Sequence, residues 1–293
     1  MTLDPRGGRG AVYLLDKPPG CTSRRAAAEV ARFWGYRRFG HAGTLDPSAS
    51  GVLPVLLGSA TRLSAYLSGH EKRYSFEVVT GIETDSLDSE GAVVGRADPV
   101  TPAPEDLARI LDRFEGGFEQ KVPAFSAVKI GGMASFRIAR AGGSPETPSR
   151  RVTAGSWEIL WIRDGRFRLA VTVSPGTYIR ALASDIGAAL GCGAHAAGIV
   201  RESCGAFTRA ECAAGPGSPG SLLAPAQAMR GYPARVLTGE EASRVSHGNP
   251  VEDATEGTVA LLGGRGGELL AVGTGDGRFI RPVTVLPACP ECS

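Results

Sequence analysis

Arg37-Arg38-Phe39-Gly40-His41-Ala42-Gly43-Thr44-Leu45-Asp46-Pro47-Ser48-Ala49-Ser50-Gly51 gathers two arginines, a histidine and one carboxylate among small residues. Gly40, Gly43 and Pro47 punctuate it too densely for a helix or a central strand, so it reads as a loop. Gly51-Val52-Leu53-Pro54-Val55-Leu56-Leu57 follows, a short apolar run that reads as a buried strand. An Asp before a proline often does no more than cap a turn. Whether Asp46 does more depends on what the rest of the chain brings to it.

Upstream, Ala11-Val12-Tyr13-Leu14-Leu15 reads as a strand ending in the turn Asp16-Lys17-Pro18-Pro19-Gly20. Thr22 or Ser23 then caps a helix to about Trp34, with Ala27, Val30 and Phe33-Trp34 turned inward. Downstream, a short helix is expected around Thr61–Leu67. In Lys72–Val78 the alternation puts Tyr74, Phe76 and Val78 on one face of a strand. Thr84-Asp85-Ser86-Leu87-Asp88-Ser89-Glu90-Gly91 superficially resembles a calcium loop. It fails as one, because Leu87 falls where a ligand is needed and no Glu closes it, so it reads as a hairpin connection. Leu107, Ile110, Leu111 and Phe114 recur at helical spacing after Pro104, and Gly116-Gly117 ends that helix. Val122–Ile130 reads as extended, with a short helix from Ala134 to Arg140. Arg150–Ile162 and Phe167–Val173 pair across Asp164-Gly165. Gly176-Thr177-Tyr178-Ile179-Arg180 enters a helix with Ile179, Leu182, Ile186 and Leu190 on one stripe. Gly215–Gly220 is the sharpest break in composition. Beyond Pro233, β-like pieces alternate with Gly-rich turns, the pattern of a small β-barrel.

The 293 residues suit about two domains at ~150 residues each, and 42 % hydrophobic with 21 % charged residues is a globular composition. A net charge of +2 announces no nucleic-acid binder by itself. The distribution does more. Residues 1–50 hold eight basic side chains (Arg6, Arg9, Lys17, Arg24, Arg25, Arg32, Arg37, Arg38) against four acids (Asp4, Asp16, Glu29, Asp46), concentrating positive field near the opening loop. Only Lys17, Lys72, Lys121 and Lys129 are lysines, so these four mark places where a compact ammonium is needed. Lys17 either braces the loop through backbone carbonyls or touches a ligand. Six cysteines show no disulfide rhythm, and Cys289-Pro-Glu-Cys292 lacks the second pair a zinc site requires. No leader and no apolar run of about 18 residues is present, which points to the cytoplasm and away from membranes.

Four groups are candidates for one site: Asp46, Tyr74 on a strand face, Arg180 at a helix start, and His41 in the basic loop. A carboxylate paired with a guanidinium stays ionised and serves as nucleophile or base, not as general acid. Tyr offers a stacking plane, and Arg-rich loops with aromatics suit phosphate contact plus base stacking. An ordinary glycosidase needs a second carboxylate, and no P-loop, dinucleotide fingerprint or zinc-deaminase signature occurs. The residues therefore indicate a cofactor-free enzyme or binder acting on structured RNA.

Ordered motifs narrow this. Leu15-Asp16-Lys17-Pro18, Gly40-His41-x-Gly43-x-Leu45-Asp46-Pro47, Gly51-x-Leu53-Pro54, Lys72-Arg73-Tyr74, Ser126-Ala127-Val128-Lys129, Gly176-Thr177-Tyr178-Ile179-Arg180 and Cys192-Gly193-Ala194-His195 follow one another from about residue 11 to 207. In order and spacing the chain resembles the bacterial tRNA pseudouridine-55 synthase (TruB) family. Gly248-Asn249-Pro250-Val251 and Gly277-Arg278-Phe279-Ile280 resemble the family's PUA domain more weakly. The resemblance implies an α+β pseudouridine synthase fold, a mixed and mostly antiparallel sheet with flanking helices, over residues 1–231. It implies a PUA-like RNA-binding β-barrel over 232–293. It further implies isomerisation of a T-loop uridine in tRNA by a monomer, with no metal, cofactor, membrane or guide RNA. Asp46 corresponds to the essential aspartate, and Tyr74 to the residue stacked on the flipped uracil and placed to assist C5 deprotonation. Arg180 corresponds to the partner of the aspartate that also fills the space the base vacates. His41 matches the residue supporting the rearranged T-loop, and Tyr178 and Ile199 match positions lining the uracil pocket. Departures lie elsewhere: Phe125 and Phe136 stand where tyrosines are usual, Met133-Ala134 and Val200 where basic residues are frequent, and Pro175 where Lys is common.

Overall fold

The computed structural model of the chain describes residues 10–263 and 267–287; Cys289 and Cys292 lie outside them. The described residues fall into two compact units, one drawn from Met1–Gly69 with Cys204–Ser293 and one from His70–Ser203.

The first unit opens with β1 (Gly10–Lys17), helix α1 (Ser23–Phe33), β2 (Phe39–His41), β3 (Ser50–Gly58), a 3-10 turn and helix α2 (Ser64–Ser68). β1 and β3 pair antiparallel over their whole length, Leu14 facing Pro54, and both bury nearly every side chain. Their unbroken apolar sequences are what a strand covered on both faces requires. Two expectations are corrected. Phe39–His41 is not loop but a short strand along β3, with Gly40 opposite Leu56 and His41 opposite Val55, so it pairs backbone groups that an open edge would leave unmet. Phe33 is not inward but 58 % exposed, since the buried stripe of α1 runs through Ala26, Ala27, Val30 and Ala31 and continues to Trp34, one position further on.

The second unit comprises β4 (Lys72–Thr80), β5 (Ile82–Thr84), β6 (Val93–Arg96), α3 (Pro104–Leu111), β7 (Gly116–Lys121), the small hairpin β8 (Lys129–Ile130) and β9 (Met133–Ala134), α4 (Ser135–Arg140), β10 (Ser149–Arg163), β11 (Arg166–Val173), α5 (Ile179–Ala189) and β12 (Ala194–Cys204). Strand order here is β12-β4-β11-β10-β7. Tyr74, Phe76 and Val78 are buried on β4 as the alternation predicts. Thr84–Gly91 connects β5 to β6, and Asp164-Gly165 turns β10 into β11, both as expected. The extended segment was expected at Val122–Ile130, but the strand that pairs with β10 lies earlier, at Gly116–Lys121. β12 gave no alternating signal, because Gly198, Arg201 and Glu202 interrupt its apolar residues.

Returning to the first unit, β13 (Phe207–Thr208), β14 (Leu222–Leu223) and α6 (Pro225–Ala228) precede β15 (Ala234–Val236), α7 (Gly239–Ser246), β16 (Val251–Glu252), β17 (Glu256–Leu262), β18 (Leu269–Asp276) and β19 (Phe279–Val285). The last five strands form one sheet in the order β15-β17-β18-β19-β16, the small all-β element that the tail composition foretold. It is packed into the rest of its unit. Ala260, Leu269, Val272 and Leu286 share one apolar cluster with Leu63, Leu67, Val12 and Met229. Polar contacts border it: Arg62 Nη1 donates to Val285 O at 2.7 Å, Tyr232 Oη to Tyr66 O at 2.9 Å, and the hydroxyls of Tyr66 and Thr284 meet at 2.9 Å. None of the helices among the described residues is long and apolar enough to cross a membrane.

Candidate active site

The Asp46 loop is held through its neighbours. Thr22 caps α1 by accepting from Arg25 N at 3.2 Å, which leaves Ser23, 1 % exposed, to act elsewhere. Ser23 Oγ accepts from Leu45 N at 2.8 Å and donates to Leu45 O at 2.9 Å, fixing the residue before Asp46. The residue after it is fixed too. Gly20 N and Lys17 Nζ both donate to Pro47 O, at 2.8 and 3.3 Å. The fully buried Lys17 ammonium also donates to Pro18 O and Cys21 O at 2.8 Å each, so it braces the loop through carbonyls. Ala49 N closes the turn on Asp46 O at 3.1 Å, and Ala42, Leu45 and Ala49 are anchored in the core. Gly43, at φ 92°, takes the one left-handed step that lets the chain leave β2. We expect Ser23→Ala to cost about 1–3 kcal/mol, since it strands the buried Leu45 N–H; urea unfolding reads it directly.

His41 and Asp46 belong to the first unit; Tyr74, Tyr178, Arg180 and Ile199 belong to the second. There, Tyr74 lies on β4, Ile199 on the neighbouring β12, and Arg180 in the first turn of α5, each at most 7 % exposed. Arg180 is gripped by groups that sequence reading missed. Its Nη1 donates to Ser86 O, its Nη2 to Phe125 O at 3.0 Å, and its Nε lies 3.6 Å from Asp88 Oδ2. Asp88 is itself buried and is met by Ser86 Oγ and by Glu90 N at 3.1 Å. Leu87, between them, adopts φ 64°, a left-handed conformation uncommon for a bulky residue. That reversal lets the Ser86 carbonyl and the Asp88 carboxylate address one guanidinium. The signal was present: a buried arginine demands a carboxylate, and the acidic turn dismissed as a calcium loop supplies it.

Tyr178 immediately precedes α5. Its ring lies under the Arg150 guanidinium at 5.3 Å. His195 bonds Ile82 O at 2.9 Å and packs structurally, as does buried Cys192. Lys72, like Lys17, is buried and donates to a carbonyl, that of His70, at 2.6 Å.

Further along α5, burial pushes the Asp185 carboxyl up to about 6. A folded-state value above the unfolded one means the native protein binds the extra proton, so this group withdraws stability as pH rises from about 4 to about 6. Asp185→Asn should therefore raise stability at pH 7.5 by about 1 kcal/mol, discounted for the side chain's partial exposure, and leave it unchanged at pH 3.5. Melting curves at the two pH values check the sign.

The chain is similar to known proteins over most of its length. Residues 31–179 match the family model described as TruB family pseudouridylate synthase, N-terminal domain. The chain is 42 % identical over 248 residues to the tRNA pseudouridine synthase B of Symbiobacterium thermophilum, covering 82 % of each protein. It is 38 % identical over 286 residues to the tRNA pseudouridine synthase B of an Azoarcus species, covering 95 % of each. Among solved structures, its fold is shared with a chain of an H/ACA RNP bound to a substrate RNA containing 2′-deoxyuridine (TM-score 0.72, 22 % identity, 96 % of this chain and 86 % of that one). A chain of a Cbf5-Nop10-Gar1 complex is similar to the same degree (TM-score 0.72, 24 % identity, 96 % and 85 %). The expected α+β architecture stands, and the chain belongs to the TruB family of pseudouridylate synthases.

Proposed function

We propose that the protein isomerises uridine to pseudouridine at position 55, in the T-loop of tRNA, with Asp46 as the catalytic carboxylate. The observation that carries this is a loop bearing Asp46 whose backbone is fixed on both sides of it, at Leu45 by Ser23 and at Pro47 by Lys17, in a chain 38–42 % identical to enzymes named tRNA pseudouridine synthase B. In the reaction the C1′–N1 bond breaks, the uracil turns, C1′ bonds C5, and the C5 proton is lost while N1 gains one. Atoms and charge balance without a cofactor. Asp46 serves either by attack at C1′ or by taking the 2′ proton; both begin from the ionised form. Arg180 fills the space of the extruded base. Tyr74 stacks on the uracil and assists loss of the C5 proton, Tyr178 and Ile199 line the pocket, and His41 supports the T-loop. Flipping the base costs a few kcal/mol, which a pre-bent loop and the basic residues around Arg37-Arg38 offset. Residues 1–231 form the catalytic domain and 232–293 a PUA-like RNA-binding domain, in a cytoplasmic monomer that needs no guide RNA.

Tritium release tests the reading. Purified protein, given no other RNA, should release tritium from a 5-tritiated-uridine tRNA transcript, and release should vanish when the T-loop target is replaced by cytidine. Binding of the transcript without any release would overturn it in favour of a non-catalytic RNA-binding protein.

A further inference from the structure

Gln120, on the end strand β7, is 1 % exposed, and its side chain is spent wholly on one residue. Its Oε1 accepts from Tyr178 N at 2.8 Å and its Nε2 donates to Tyr178 O at 3.1 Å. A primary amide carries a donor and an acceptor in one plane, so it meets both backbone groups of a residue as a neighbouring strand would. No other side-chain type of this length does so; ionised Glu only accepts and Met does neither.

Tyr178 needs this support. It is the N-cap of α5, extended at φ −99°, ψ 110°, and its own side chain caps nothing. The chain reaches it through Gly176, at φ 85°, with Arg150 Nη1 so near that a Cβ on Gly176 would meet it at 2.9 Å. Gln120 and Arg150 sit directly opposite each other on β7 and β10. The same cross-strand pair thus holds Tyr178 twice: the amide fixes its backbone, and the guanidinium covers its ring within the ~6 Å range of a cation–π contact.

We infer that Gln120 is a positioning residue for the pseudouridine reaction: its amide sets the direction of the Tyr178 ring and the phase of the first turn of α5, and so the placement of Arg180. It touches no reacting atom. The inference rests on the proposed roles of Tyr178 and Arg180, and a purely structural Gln120 predicts different kinetics. Displacing reacting groups by about 1 Å costs on the order of 10²-fold in rate, whereas a change in stability alone leaves the rate of the folded fraction unaltered.

The experiment measures the single-turnover rate at saturating tRNA, tRNA affinity and melting temperature for wild type, Asp46→Asn, Gln120→Met and Val152→Ala. Gln120→Met keeps length and bulk but removes both hydrogen bonds. Val152→Ala disturbs the same β7–β10 pair at a buried apolar position and serves as the stability control. We expect Gln120→Met to slow the step roughly 30- to 100-fold with affinity within twofold, and Val152→Ala to stay within threefold of wild type. A Gln120→Met rate within threefold of wild type, or an equal slowing in Val152→Ala, overturns the assignment. Should Gln120→Met fail to fold, Gln120→Glu, which keeps only the acceptor, decides alone: slowing beyond threefold supports the assignment, and less overturns it. Wild type against Asp46→Asn reports separately on the reaction itself, so failure of that reading is recognised independently of Gln120.

Discussion

Asp46→Asn should reduce tritium release from T-loop uridine by a factor of about 10⁴ or more while tRNA affinity stays within about twofold. Asn keeps the size of the side chain but is neither a nucleophile nor a base. The loop should survive the change, because its anchors act on flanking backbone: Ser23 on Leu45, Lys17 and Gly20 on Pro47, and Ala49 N on the Asp46 carbonyl. A melting temperature equal to that of wild type, together with silent kinetics, isolates the carboxylate chemistry. Full activity in the variant would sink the assignment of Asp46.

Arg180→Lys should slow the reaction by about 10²- to 10³-fold even though the charge is conserved. The guanidinium reaches Ser86 O, Phe125 O and Asp88 Oδ2 from three different nitrogens at once. A lysine ammonium presents one point on a flexible stem and cannot hold that geometry. With Arg180 and Asp88 side chains only 4 % and 9 % exposed, the loosened pair also costs stability, by about 3–5 kcal/mol if the ammonium misses the carboxylate. Single-turnover kinetics and urea unfolding separate the two effects. A rate within threefold of wild type would show that charge at this position suffices and that the three-point grip is incidental.

How much of this was legible in the sequence depends on the range of the interaction. β1 and β3 announced themselves through unbroken apolar runs, β4 through alternation, and the β10–β11 turn through Asp164-Gly165, all local signals. Asp46, Tyr74 and Arg180 are proposed as site residues because their motifs occur in a specific order. What escaped was non-local. Asp88 and Gln120 lie 92 and 58 residues from the backbone or side chain they serve, and no periodicity records such a pairing. β12 was hidden because it accommodates Arg201, fully buried, where the pattern expects an apolar residue. Even the choice between Thr22 and Ser23 as helix cap was undecidable locally; it turned on Leu45, which claims Ser23 for the loop.

The packing of the C-terminal sheet against Leu63, Leu67 and Tyr66 has a metric consequence. α2 follows β3 through a single 3-10 turn, and β3 also carries the Asp46 loop on its other end. Anything that docks on β15–β19 is therefore held at a set span from Asp46, as between the jaws of a caliper and not at the end of a tether. Under the RNA-binding role proposed for this sheet, that fixed span would act as a length gauge on the RNA. Cutting the chain at residue 231 would do more than remove one jaw: it would strip the cover from Leu63 and Leu67, so a truncated protein would report a folding defect in place of a lost measurement.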